Sequence, residues 1–250
     1  MPTRSEKEIK IRDEQAPEYE KWYLQRGKIN VLLEDTAIEK ALDLQPEDVI
    51  LDMGCGTGRF ISDIAAKAKK IYGLDISPKS IDILNAKHIK NIDGIVFDWV
   101  LDDIKSLNIE PVDKILSVQT IQHIEKQNWD GCLQKIKNIL KQNGKVVFEL
   151  YNWDGYQRKK ERKVNNTITK TQYSDDFFEY RFSPKEFKAL LERNGFCDVK
   201  TYGISCFNRK FVNKFSGAKK FLWFDKILQK MFFANRLGYY FIAVAQKKDN

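Results

Sequence analysis

The sequence predicts an α/β protein built on a doubly wound, mostly parallel sheet, and three observations point to it. The first is the stretch Asp48-Val49-Ile50-Leu51-Asp52-Met53-Gly54-Cys55-Gly56-Thr57-Gly58-Arg59-Phe60. A short apolar run there ends in an acid and three alternating glycines, then opens into a helical pattern. The second is Ile71-Tyr72-Gly73-Leu74-Asp75, an apolar run whose acid falls about 20 residues past the glycines, where doubly wound sheets place a ribose-binding carboxylate. The third is size, since 250 residues suffice for one α/β domain with a full core and a small insertion.

Taken in order, residues 1–14 are polar and charged and read as a frayed start. Tyr19, Trp22, Tyr23 and Arg26 lie in a stretch able to form a short amphipathic helix. Residues 31–43 carry helical periodicity and stop at Gln45-Pro46. The glycines after the first strand allow a sharp turn and close backbone approach to a ligand, and the helix beginning near Thr57 points its positive end there. Their G-x-G-x-G spacing departs from both the G-x-G-x-x-G dinucleotide fingerprint and the P-loop. Ser77 with Pro78 starts a helix that runs to about Lys87. Ile95-Val96-Phe97 begins a third strand, extended as far as Leu101. A fourth strand over 113–118, a helix over 127–141 and a fifth strand over 145–150 follow. Residues 156–176 lack hydrophobic periodicity and read as a mobile loop. Ser183, Pro184 and Glu186 form a capping box for a helix ending at Asn194-Gly195, and two final strands fall near 199–202 and 239–245.

With these elements placed, the chain resembles the class I S-adenosylmethionine-dependent methyltransferases. The matching residues are Val49 to Gly58, Gly73-Leu74-Asp75-Ile76-Ser77, and Asp113 to Gln119 followed by Ile121-Gln122-His123-Ile124. The resemblance covers about residues 45–205 and implies a seven-stranded sheet whose last strand is antiparallel. It also implies S-adenosyl-L-methionine (SAM) as cofactor and S-adenosyl-L-homocysteine (SAH) as product. Cofactor contacts then fall to Asp52, Gly54, Cys55, Gly56, Gly58, Asp75, Ile76 and Gln119, with Asp103 and Ile104 at the adenine. Asp102 is the near rival of Asp103, and Asp98 reads as a solvent-facing strand residue. One domain is expected, with an N-terminal lid helix over about 15–28, a substrate loop over about 152–180 and a basic aromatic insertion over about 206–235.

Methyl transfer from a sulfonium is a one-step displacement. The protein's task is to align nucleophile and methyl carbon and, for some acceptors, to remove a proton. His123, just past the fourth strand, is the candidate base; its other reading is packing against the cofactor or the following helix. Tyr23, Tyr151, Trp153, Tyr180 and Arg181 are the candidate substrate contacts. Cys55 lacks an adjacent base and does not read as a nucleophile.

Composition bounds the rest. The 4 cysteines show no C-x-x-C pair, which fits reduced thiols in the cytoplasm, and with 2 histidines no metal site is expected. No run is long enough to span a membrane, and residues 1–15 are charged rather than signal-like. Residues 200–250 hold 11 of the 43 Lys and Arg residues but 2 of the 35 acids, so the net charge of +8 is local to that end. In this region lysines alternate with aromatics including Phe221, Trp223 and Phe224, as on a membrane-surface helix or one packed on its own domain. The expected acceptor is therefore a small or amphiphilic molecule, in an envelope glycan or lipid pathway by resemblance, with peripheral membrane contact open. RNA is the second reading, and cofactor binding without catalysis the third; oligomeric state is left open.

Overall fold

A computed structural model describes residues 3–25, 28–164, 169–173, 178–206, 223, 227 and 234–248. Seven strands form the main sheet: β1 (Val49–Met53), β2 (Lys70–Asp75), β3 (Ile92–Val96), β4 (Val112–Val118), β5 (Leu140–Tyr151), β8 (Phe196–Ile204) and β9 (Tyr240–Lys247). Their order is β3-β2-β1-β4-β5-β9-β8. Neighbours from β3 to β5 run parallel, and β9 is antiparallel to both β5 and β8. The expected sheet and its reversed last strand are both present.

Helices cover both faces because the central strands are apolar on both. All five β1 residues are buried. Alternation sends Val49, Leu51 and Met53 to one face, into the core cluster that also holds Leu133 and Ile136 of helix α6 (Trp129–Ile139) and Phe187 and Leu191 of α8 (Pro184–Arg193). Ile50 faces the other way, against Ile38 and Leu42 of α3 (Lys28–Leu42), Ile61 of α4 (Arg59–Ile64) and Ile81 of α5 (Pro78–Asn85). Each such side chain removed from water contributes roughly 1.5–3 kcal/mol. Two expected caps hold: Ser77 Oγ accepts from Ser80 N at 3.0 Å, and Ser183 and Glu186 make their capping box.

Three expectations need correction. Residues 4–15 are not frayed; they form helix α1 (Arg4–Gln15), started by a capping box between Thr3 and Glu6. The third strand stops at Val96 instead of reaching 101. There the Asp98 carboxylate accepts from Val100 N at 2.8 Å and Leu101 N at 3.2 Å, closing a turn that competes with the ladder. The stretch read as a loop contains helix α7 (Tyr156–Val164) and a hairpin of β6 (Thr171–Tyr173) with β7 (Phe178–Tyr180), outside the main sheet. Polar anchors replace an apolar stripe: the Arg162 guanidinium lies 3.7 Å from the Trp153 ring centre, and Arg158 donates to the Tyr239 hydroxyl at 3.1 Å. That is why periodicity gave no sign of α7.

The basic aromatic insertion lies almost wholly outside the described residues; within it Trp223 and Ile227 are exposed. Among the described residues no helix is long and apolar enough to cross a membrane.

Candidate active site

One cavity of about 400 Å³ opens at the carboxyl edge of the sheet, where doubly wound folds bind ligands. Its floor begins at the turn after β1. Gly54 and Gly58 both hold φ +75°, and a Cβ on Gly54 would stand 2.1 Å from Thr120 Oγ1, so the turn admits glycine alone there. The amides of Gly54 and Cys55 donate to the Leu74 carbonyl at 2.7 and 3.1 Å, pinning the turn over β2. Asp75 ends β2 and accepts from Gly56 N at 2.8 Å and Ser77 N at 2.9 Å. Burial pushes its carboxyl above the usual range, against the pull of those two amides.

The sequence-predicted cofactor residues separate into those on the cavity wall and those beneath it. Gly54, Gly56, Asp75, Ile76 and Gln119 line the cavity. Asp52, Cys55 and Gly58 shape the turn from below. Burial, with the neighbouring Asp75 charge second, pushes Asp52 up to about 7. Burial likewise raises the Cys55 thiol, which donates to Gly56 O at 3.4 Å, so Cys55 is no thiolate.

Asp103 and Ile104 do not reach the wall. Asp103 is exposed and caps a short 3-10 turn by accepting from Lys105 N at 3.0 Å, while Ile104 is buried in the core. Asp102 is exposed as well, and accepts from Asp98 N at 2.8 Å. The acid brought to the cavity is Asp98, followed there by Trp99 and Val100. Asp98 is buried, and its Oδ2 has no hydrogen-bond partner among the described residues. A buried carboxylate oxygen left unpaired is costly, and a donor supplied by a ligand would relieve it.

The far end of the cavity draws on distant parts of the chain. His123 sits in the 3-10 turn Ile121–His123, against which β7 packs. Its Nδ1 lies 2.9 Å from Phe178 O, and a carbonyl can only accept, so Nδ1 carries the proton and the Nε2 lone pair remains. Gln122 Nε2 approaches that lone pair at 3.5 Å. Enclosure of the ring, then the charge of Arg12, holds His123 down to about 3, so the imidazole is neutral at ordinary pH. Gln119, at φ +54°, turns into the same space with its Nε2 unpartnered among the described residues.

Of the expected substrate contacts, only Tyr151 lines the cavity. Tyr23 is buried beneath the Arg59 guanidinium, 3.8 Å from its ring centre, and donates to Glu34 at 3.1 Å. Trp153 carries Arg162, as described above. Tyr180 packs on Trp129 and Phe182 and donates to Glu186. Arg181 braces the hairpin, donating to Thr169 O at 3.0 Å and Gln172 Oε1 at 2.7 Å and pairing with Glu179 at 2.7 Å. The hairpin residue on the wall is therefore Glu179, two positions before the arginine.

Sequence reasoning also missed α1, which supplies Arg4, Ser5, Glu8, Arg12 and Gln15 to the wall. It is latched at its carboxyl end, where Asp13 accepts from Ser77 Oγ at 2.5 Å and Lys79 N at 3.1 Å. The signal available was Thr3-x-x-Glu6, a capping box ahead of a helical run. Helix α2 (Tyr19–Gln25) follows and is tied down by Glu20, which accepts from Thr57 Oγ1 and Lys87 Nζ, each at 2.8 Å. Helical structure at this end thus begins at Arg4, eleven residues before the start expected for a lid helix.

Known proteins resemble this chain in sequence over its central part and in fold over most of its length. Residues 50–144 match the family model described as a methyltransferase domain. A methyltransferase of Anoxybacillus flavithermus is 27% identical over 46% of this chain and 50% of its own length. The U6 snRNA methylphosphate capping enzyme of Drosophila melanogaster is 28% identical over 65% of this chain and 59% of its own. The chain thus spans little more than half the length of these relatives. Among solved structures, a SAM-dependent methyltransferase of Thermotoga maritima, described as a possible histamine N-methyltransferase, superposes with a TM-score of 0.65 at 18% identity. That match covers 96% of this chain and 99% of the other and speaks for the fold.

Proposed function

We propose that this chain, whose residues 50–144 match a methyltransferase-domain model, is a class I S-adenosylmethionine-dependent methyltransferase that moves a methyl group by direct in-line displacement to an oxygen or nitrogen of a small polar acceptor. The observation that carries this reading is one continuous cavity, running from Asp75 and Asp98 at one end to His123, Tyr151 and Glu179 at the other. Bound SAM supplies an electrophilic methyl on a positively charged sulfur. On this reading Asp75 would accept from ribose hydroxyls, and Asp98, whose Oδ2 has no hydrogen-bond partner among the described residues, would accept from the adenine amino group. The open glycine turn fits the same occupant, since a Cβ on Gly56 would meet nothing closer than a Tyr19 ring carbon at 3.8 Å.

At the acceptor end the wall is polar, which favours a small hydrophilic molecule over an acyl chain. Gln122 is 1% exposed, and its Oε1 has no hydrogen-bond partner among the described residues. On this reading Gln122, with the neutral His123 ring beside it, would hold an N–H or O–H of the nucleophile. With its conjugate acid disfavoured, neutral His123 serves better to orient that group than to take its proton away. Helix α1 forms one wall of this cavity.

The test is transfer of a radiolabelled methyl from SAM into a cell extract separated into small polar metabolites, lipids and RNA. Label in the small polar fraction is the expected result. Label confined to lipid or RNA would overturn the acceptor class, and a protein that binds SAM but labels nothing would favour binding without catalysis.

A further inference from the structure

We propose that Arg4 and Arg12, with Ser5, form an oxyanion-binding wall on α1 that holds a carboxylate or phosphate group of the methyl acceptor. This deepens the reading above and rests on it. Residues 4, 5, 8 and 12 all line the cavity, and the spacing of four puts Arg4, Glu8 and Arg12 on one helical face. The two guanidiniums flank one carboxylate. Glu8 pairs closely with Arg12, at 2.6 Å, and reaches Arg4 only at 4.0 Å. One negative charge between two positive ones leaves this face cationic. Both arginine side chains are largely sheltered, at 23% and 26% exposure, where charge is less screened than on an open surface.

Arg4 and Ser5 lie in the first turn of this 12-residue helix, which is capped by Thr3, and both line the cavity. One further observation favours an anion here. Across the cavity, His123 is held neutral in part by Arg12 and Arg4, so their positive field reaches the site of transfer. Of the acids at that end, Glu179 is paired with Arg181 at 2.7 Å, while Glu125, held at 3.0 Å by the neutral Gln127 side chain, keeps its charge. A guanidinium pair suits a planar or tetrahedral oxyanion because each presents a fork of donors.

Calorimetry on the full chain saturated with SAH, titrated with inorganic phosphate at constant ionic strength, tests the wall. Saturable binding is expected, weakened by about tenfold or more in Arg4→Gln and in Arg12→Gln and partly restored in Arg4→Lys. No saturable binding to wild type, or equal binding to both glutamine variants, would overturn the proposal. A second arm compares SAH with 5′-methylthioadenosine, which lacks the amino-acid carboxylate. Both variants should bind each as wild type does. Loss of SAH affinity with 5′-methylthioadenosine affinity retained would assign the arginines to the cofactor and overturn the acceptor site. Failure of wild type to bind SAH would overturn the methyltransferase reading itself, and shows before any phosphate is added.

Discussion

The cofactor end of the cavity comes from nearly continuous chain, residues 52–76 with Asp98 added, whereas the acceptor end gathers its wall from across the sequence. Arg4 and Arg12 come from α1, His123 from the turn after β4, Tyr151 from the end of β5, and Glu179 from a hairpin outside the main sheet. The first end is set by backbone: three left-handed glycines, amides donating to Leu74 O, and a carboxylate holding two amides. The second is set by side chains that meet only when α1 and the β6–β7 hairpin close over the sheet. A ligand common to many proteins can be bound by a local motif, while the feature particular to this chain depends on tertiary closure.

The largest effect should come from breaking the backbone-built end. Gly54→Ala forces a Cβ against Thr120 at a left-handed φ. It is expected to lower stability by about 2–4 kcal/mol and to abolish measurable SAM binding, read by thermal melts and calorimetry. Asp75→Ala removes a charged acceptor while leaving the turn, and should weaken SAM binding by roughly 1.5–3 kcal/mol. Unchanged affinity would remove Asp75 from the ribose.

The next prediction sharpens the border between the two ends, because Asp98 is placed by a turn rather than by the strand pattern. Asp98→Asn should weaken SAM binding by about 1–2 kcal/mol, and Asp103→Ala should leave it unchanged. The reverse ranking would return adenine recognition to Asp103.

The smallest effect concerns the acceptor end. His123 takes a proton only near pH 3 in the folded chain, whereas an unfolded histidine does so near ~6.5. Between those values the unfolded chain holds more protons, so stability falls as pH drops through this window. Replacing His123 by Gln should reduce this loss by about 1–2 kcal/mol at pH 5, measured by denaturant titration at pH 7.5 and 5. Equal pH dependence in the two proteins would mean that the ring is not held neutral.

Sequence by itself determined the doubly wound sheet, the glycine turn, Asp75 and the capped starts of α5 and α8. Each of these depends on residues within one or two turns of chain, where glycine, proline, a capping serine or a run of Val and Ile dictates backbone geometry. The hydrophobic period could not reveal α7, held by Arg158 and Arg162 through polar and cation–π contacts that leave no stripe, or the hairpin, whose strands of 3 residues are too short for a period to register. Nor could it choose among Asp98, Asp102 and Asp103, three acids within six positions whose roles are fixed by which carboxylate the turn after β3 swings inward. Tertiary structure alone brought Arg4 and Arg12 to His123, because charged side chains on a helix look solvated in sequence until another element turns that face into a cavity.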